Sequence, residues 1–171
     1  MPIVKMRRVD GIIISVTNYI WTPGIQTIQD ELSEKDYARF MLYLAEYMRD
    51  ELVKAINTQR YATGTKKWAP LNVKYLRYKK KHNLSLNIWE ATSTLKEGIQ
   101  IFKRDHYIVV GFKKTDVYPN TTVKINKIAQ YVEYGGKKLP PRPLFRSITA
   151  HLRRHVDRQY KKFRKEVLKL K

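Results

Sequence analysis

Residues 131–145, Y-V-E-Y-G-G-K-K-L-P-P-R-P-L-F, constrain this chain more than any other stretch. Gly135 and Gly136 have no Cβ and take positive φ without steric cost, so a helix ends there or the chain turns sharply. Pro140, Pro141 and Pro143 fix φ, and each proline pushes its predecessor out of the α region. Leu139, Pro140 and Arg142 are therefore expected to be extended, and Pro143 suits the first position of a following helix. The product is a stiff arm with one guanidinium set between two rings. Such punctuation also marks ordinary connectors. The sharper expectation is an arm that presents Arg142, Leu144 and Phe145 to a neighbouring subunit.

Charge is the second constraint. The net charge is +20, and it is unevenly spread. Residues 1–60 carry eight side chains of each sign, and residues 61–171 carry the other 27 basic and 7 acidic ones. Such asymmetry implies a polyanionic neighbour: nucleic acid, an acidic protein surface or anionic lipid. There are no cysteines, so neither a disulfide framework nor a thiolate zinc site is available, which suits a reducing cytosol. The apolar run Ile12-Ile13-Ile14-Ser15-Val16 is too short for a signal or a membrane span. A chain of 171 residues fits one domain with a real core.

Periodicity predicts the elements. Residues 11–18 are β-branched and read as a strand, followed by a turn at Thr22-Pro23-Gly24. Ser33 with Asp36 three positions on is a loose capping box. From there Tyr37, Met41, Leu44, Met48, Leu52 and Ala55/Ile56 form one apolar stripe of a long helix. Gly64 and Pro70 mark a loop, with Trp68 tucked against the domain. Asn72 caps a short helix carrying Val73, Leu76 and the lysines at 79–81. Residues 84–92 fit a strand or an irregular segment. Residues 99–102 and 107–111 read as an antiparallel hairpin turning at Arg104-Asp105. Residues 115–126 read as a polar, mobile surface loop, and 125–134 as a short helix. From Leu144, the positions Ile148, Leu152, Val156, Tyr160, Phe163, Val167 and Leu170 keep helical spacing, a rod of roughly 38 Å at 1.5 Å per residue. The expected class is α+β: residues 1–146 form a core with a small antiparallel sheet packed by the long N-terminal helix. Residues 147–171 extend it as a protruding basic helix.

Catalytic chemistry is not visible. Gly64-Thr65-Lys66-Lys67 lacks the spacing of a phosphate-binding loop, and no G-x-G-x-x-G or nucleophile elbow occurs. His151 and His155 are four apart on a helix, but no acidic residue completes a ligand set and Arg153, Arg154 and Arg158 oppose a cation. The expectation is a protein that is not an enzyme, with no cofactor and no metal. Lys79, Lys80 and Lys81 beside Tyr75 and Tyr78, and Arg153, Arg154, Arg158, Lys161 and Lys162 on the last helix, are the candidates for DNA or an acidic partner. Solvated helix faces account for most such runs. No base-reading motif is present, so contact with DNA would be to its backbone. The last helix lacks the long aliphatic face that a membrane surface wants.

Several pieces taken in order resemble a known family. They are Gly64…Trp68-Ala69-Pro70-Leu71, then Tyr75 and Lys79, then Ala91-Thr92-Ser93-Thr94-Leu95-Lys96-Glu97-Gly98-Ile99, then Val109-Val110-Gly111, then Ala129…Tyr134-Gly135, and last Leu139-Pro140-Pro141-Arg142-Pro143-Leu144-Phe145. Their order and spacing over residues 60–148 resemble the virion-morphogenesis and tail-completion proteins of long-tailed bacteriophages. Ser93 stands where that family usually has glycine, and Leu144-Phe145 replaces its Phe-Leu order. The resemblance implies a structural virion subunit, assembled in the host cytoplasm into a ring, commonly hexameric, around the DNA channel at the head–tail junction. Neighbouring neck, portal-connector or tail-terminator proteins would be its partners, with packaged double-stranded DNA as a further contact. Tyr134, Gly135, Pro141, Arg142, Pro143, Leu144 and Phe145 would then form the subunit interface. The rival expectation is a sequence-nonspecific nucleic-acid-binding protein.

Overall fold

The long amphipathic stripe that starts at Ser33 sets the architecture. A computed structural model describes residues 13–15, 28–62, 64, 66–104, 107–113, 115–119, 121–136 and 139–169. Helix α1 (Glu34–Thr58) begins where the capping box puts it: the Ser33 hydroxyl accepts from the Asp36 N–H and donates to the Asp36 carboxylate at 2.9 Å. Met41, Leu44, Met48, Leu52, Ala55 and Ile56 are all buried along it. Strands β1 (Ile13–Ser15), β2 (Gln100–Arg104) and β3 (Tyr107–Gly111) form one antiparallel sheet in the order β1-β3-β2. Ile101 lies opposite Val110 in the β2–β3 register, and with Ile108 and Phe112 it joins the core that α1 covers. The fold is α+β.

Among the described residues α1 is followed by α2 (Val73–Lys81), the single turn α3 (Thr94–Glu97), α4 (Ile125–Tyr134) and α5 (Phe145–Glu166), and residues 28–31 are also helical. The Asn72 side chain caps α2 by accepting from the Tyr75 N–H at 2.8 Å. Residues 84–92 are neither helix nor strand. They are tied to the end of α1 through Gln59, whose amide donates to the Ile88 carbonyl at 3.2 Å and accepts from its N–H at 2.7 Å.

Helix α5 does not protrude. Phe40 of α1 packs on Tyr160 and Phe163, each with ring centroids 5.3 Å away, while Tyr47 meets His151 further along, so the two helices run antiparallel. Ile148, Leu152, Val156, Tyr160 and Phe163 share one core with α1 and the sheet. The physical reason is apolar area. Each large side chain in that seam gains about 1.5–3 kcal/mol by leaving water, which a projecting helix forgoes. Helix α1 of the neutral N-terminal third and α5 of the basic remainder are thus far apart in sequence and adjacent in space. The rest of the expected first strand, the turn at 22–24, Asp105 of the hairpin turn, Leu170 and Lys171 lie outside the described residues.

Candidate functional site

The two most distinctive sequence pieces, 68–70 and 140–145, close on each other. Arg142 is only 2% exposed, and its guanidinium donates from Nε to the Ala69 carbonyl and from Nη2 to the Pro70 carbonyl, both at 2.8 Å. The indole of Trp68 donates to the Pro143 carbonyl at 3.0 Å, and that of Trp89 to the Arg142 carbonyl at 3.1 Å. The Arg142 N–H donates to the Val132 carbonyl at 2.9 Å, holding the arm against α4. Prolines have no N–H, so this segment cannot pair as a strand. Side chains from two distant loops satisfy its carbonyls instead.

Glu133 fastens the far end. It is fully buried, and its carboxylate accepts from three successive backbone N–H groups: Leu144 at 2.7 Å, Phe145 at 3.1 Å and Arg146 at 3.0 Å. The Arg146 guanidinium pairs with the same carboxylate at 3.3 Å. Leu144 occupies the N-cap position of α5 and has no acceptor of its own, so α4 supplies the cap and sets its negative charge at the positive end of the α5 dipole. Pro143 lies just outside the helix and not at its first position. Of the two glycines, Gly135 takes the positive φ, +73°, and a Cβ there would sit 2.5 Å from the Leu139 carbonyl oxygen; a Cβ on Gly136 would meet nothing.

These contacts correct the arm's expected role. Arg142, Leu144 and Phe145 are spent inside their own chain, where Phe145 packs edge-on to Trp89 and Phe112, and none of the three is presented to a neighbour. Tyr134 and Pro141 stay exposed, with the Arg146 guanidinium 4.8 Å over the Tyr134 ring, while Gly135 and Pro143 are half-buried. Among the expected basic contacts, Lys80, Lys81, Arg153, Arg154, Arg158, Lys161 and Lys162 are exposed. Lys79 is not: it is 2% exposed and its ammonium donates to the Asn87 carbonyl at 2.6 Å. Helix phase turns it inward, off the exposed face that carries Lys80 and Lys81.

Beside the clasp lies a cleft of about 650 Å³, walled by α2, the 87–91 loop, α4 and the arm. Its lining is mostly apolar and aromatic, including Leu71, Tyr75, Trp89, Leu95, Tyr118, Ile128, Tyr131 and Leu139, with Lys79 and Arg142 beneath. Burial lowers the Lys79 ammonium from its ordinary value; the Glu90 carboxylate opposes this and Arg142 adds to it. Burial likewise lowers the Arg142 guanidinium. Glu90 itself is engaged by Lys96 and by the Asn87 amide. Trp89 within this loop and Ser93 two residues beyond it hold left-handed φ values of 64° and 59°. The sequence signalled the cleft only through its density of tyrosines, which core packing explains equally well.

The histidine pair is stacked at 4.3 Å, with Tyr47 Oη 3.0 Å from His151 Nε2. Among the described residues no group of three or more His, Asp or Glu side chains is placed to hold a metal ion. Comparison with protein-family models, with curated proteins and with solved structures returns no match.

Proposed function

We propose that this chain is a structural virion protein of a long-tailed bacteriophage, a tail-completion or neck subunit built into a ring at the head–tail junction around the DNA channel. One observation carries the reading. The two pieces of the family-like pattern farthest apart in sequence, Trp68-Ala69-Pro70 and Arg142-Pro143, interlock through four side-chain hydrogen bonds when Trp89 is included. A pattern that folds into one device is less easily a coincidence of composition than scattered matches. Ser93 adds support, because its positive φ is the conformation for which the family's glycine is suited. The arm's part changes accordingly. It braces the domain, and the contact with the next copy falls to surfaces that stay open, Tyr134 and Pro141 among them.

A closed ring needs one patch to meet a different patch on the next copy. The test is light scattering and negative-stain imaging of the purified chain, alone and with a portal or tail preparation. Rings of defined number support the reading, whereas a monomer that ignores both preparations overturns it. Arg142→Glu is a poor probe of assembly, since it would break the clasp before any interface formed. Tyr134→Glu, at 59% exposure, is the cleaner substitution.

A second reading, sequence-nonspecific nucleic-acid binding, is favoured by a different observation. Arg153, Arg154, Arg158, Lys161, Lys162 and Lys165 are all exposed on α5, and Tyr75, Tyr78 and His82 form an aromatic ladder on α2 with centroid steps of 6.1 and 4.3 Å. Duplex affinity that falls steeply with salt supports it. Affinity unchanged by reversing Arg158, Lys161 and Lys162 to glutamate sinks it. No helix among the described residues is long and apolar enough to cross a membrane.

A further inference from the structure

The cleft beside the clasp has an electrostatic oddity that neither reading uses. Two cations, Lys79 and Arg142, are buried beneath an apolar, aromatic lining, and among the described residues neither has a carboxylate within ion-pair distance. Their neighbours are carbonyls: Asn87 for the ammonium, Ala69 and Pro70 for the guanidinium. An ammonium has three N–H donors and a guanidinium five, and among the described residues one and two of them have protein acceptors, with the Tyr75 ring centroid 5.6 Å from the Lys79 ammonium. The one acid lining the cleft, Glu90, is held by Lys96 and Asn87. A buried charge without an ion-pair contact is costly, and Glu90 offsets that only in part for Lys79. A ligand carboxylate arriving here would relieve that cost twice over.

The cleft is also open at its rim. Tyr75 and Tyr131 of its lining are exposed by 42 and 55%. A small acid would fill the hollow and leave those side chains in water, whereas a chain segment would cover them. We propose that the cleft is a docking site for an acidic peptide segment of a protein partner, one carboxylate side chain reaching Lys79 and Arg142 while its apolar neighbours pack on Trp89, Tyr118 and Tyr131. The inference does not depend on the ring reading, since any protein partner with such a segment satisfies it.

The test uses the full chain, isotope-labelled, and two N-acetylated, C-amidated probes: Leu-Phe-Glu-Leu-Gly and its twin with Gln for Glu. The Glu probe is expected to shift the Trp89 indole resonance and to bind at least tenfold tighter than the twin. Tyr131→Glu puts a repelling carboxylate on the exposed rim without touching the core, and weakens the Glu probe at least fivefold. Lys79→Met, if its melting curve shows it folded, removes most of the preference for Glu over Gln. Equal binding of the twins, no binding of the Glu probe up to its solubility, or shifts confined to α5 each overturn the proposal. So does 3-phenylpropanoate binding as tightly as the peptide, which would assign the cleft to a small acid.

Discussion

Replacing Glu133 by glutamine changes one oxygen to an NH₂ at the junction of α4 and α5, and the geometry sets the cost. The carboxylate uses Oε2 for the Leu144 and Phe145 N–H groups and Oε1 for the Arg146 N–H and guanidinium. Glutamine keeps one acceptor. With its oxygen turned to Leu144 and Phe145, its NH₂ faces the Arg146 donors, donor against donor. One backbone bond and one ion pair are lost, and the two surviving bonds lose their charge assistance. Hydrogen bonds to a charged group contribute about 1.5–3 kcal/mol each. The ion pair deserves a discount to about 1 kcal/mol at most, because the Arg146 side chain is half in water. The charge–dipole attraction at a partly buried helix start adds up to about 2 kcal/mol. These contributions overlap, and together they put the loss at about 3 kcal/mol. At about 2–4 °C per kcal/mol for a chain of this size, the melting temperature falls by about 6–12 °C. Urea unfolding followed by circular dichroism measures it, with Arg146→Met as the control that keeps all three backbone bonds and loses no more than about 1 kcal/mol. A loss below about 1 kcal/mol for Glu133→Gln refutes the capping argument. Equal losses for both variants would assign the stabilisation to the ion pair instead.

Gly135→Ala forces a Cβ into the Leu139 and Pro141 backbone at a φ of +73° and should cost more than about 2 kcal/mol, while Gly136→Ala stays within about 0.5 kcal/mol; urea midpoints compare the two. Ser93→Gly relieves a left-handed φ of 59° at a site whose side chain makes no capping bond, and is expected to be neutral to stabilising by up to about 1 kcal/mol in the same assay. Burial first, then the neighbouring His155, holds the His151 imidazole below its ordinary value. The unfolded chain therefore binds the proton more readily, and this group's contribution is intact above the unfolded value and lost as pH falls through the folded one. The melting temperature of wild type should drop more between pH 7 and 5 than that of His151→Gln. The Asp36 carboxyl, lowered by the Ser33 hydroxyl and then Arg39, acts only at more acid pH.

What the sequence reveals follows the range of the interaction involved. The start of α1 is legible because Ser33 and Asp36 lie three positions apart and the stripe behind them repeats every turn. The β2–β3 hairpin and the caps of α2 and α4 are local in the same way. The cap of α5 is not legible, since its acceptor lies eleven residues upstream on another helix and Leu144 carries no hint of it beyond being a poor N-cap. Lys79 is misleading for a related reason. Within a run of three lysines only helix phase tells which one faces inward, and the Asn87 carbonyl that receives it belongs to a segment with no periodicity. The arm shows the limit most clearly. Prolines announce stiffness, but stiffness says nothing about whose carbonyls and indoles will meet it.

That last distinction bears on how an oligomer of this chain would work. A proline-stiffened arm free in solution already has little entropy to lose on docking into a neighbour. Folded into its own clasp, the arm instead accepts the Trp89 indole beside the cleft and is fastened between α4 and α5 through Glu133, with Arg142 buried on its own chain's carbonyls. The left-handed backbone at Trp89 and the two buried cations line the same cleft, and under the docking proposal that is where a partner gains most by binding.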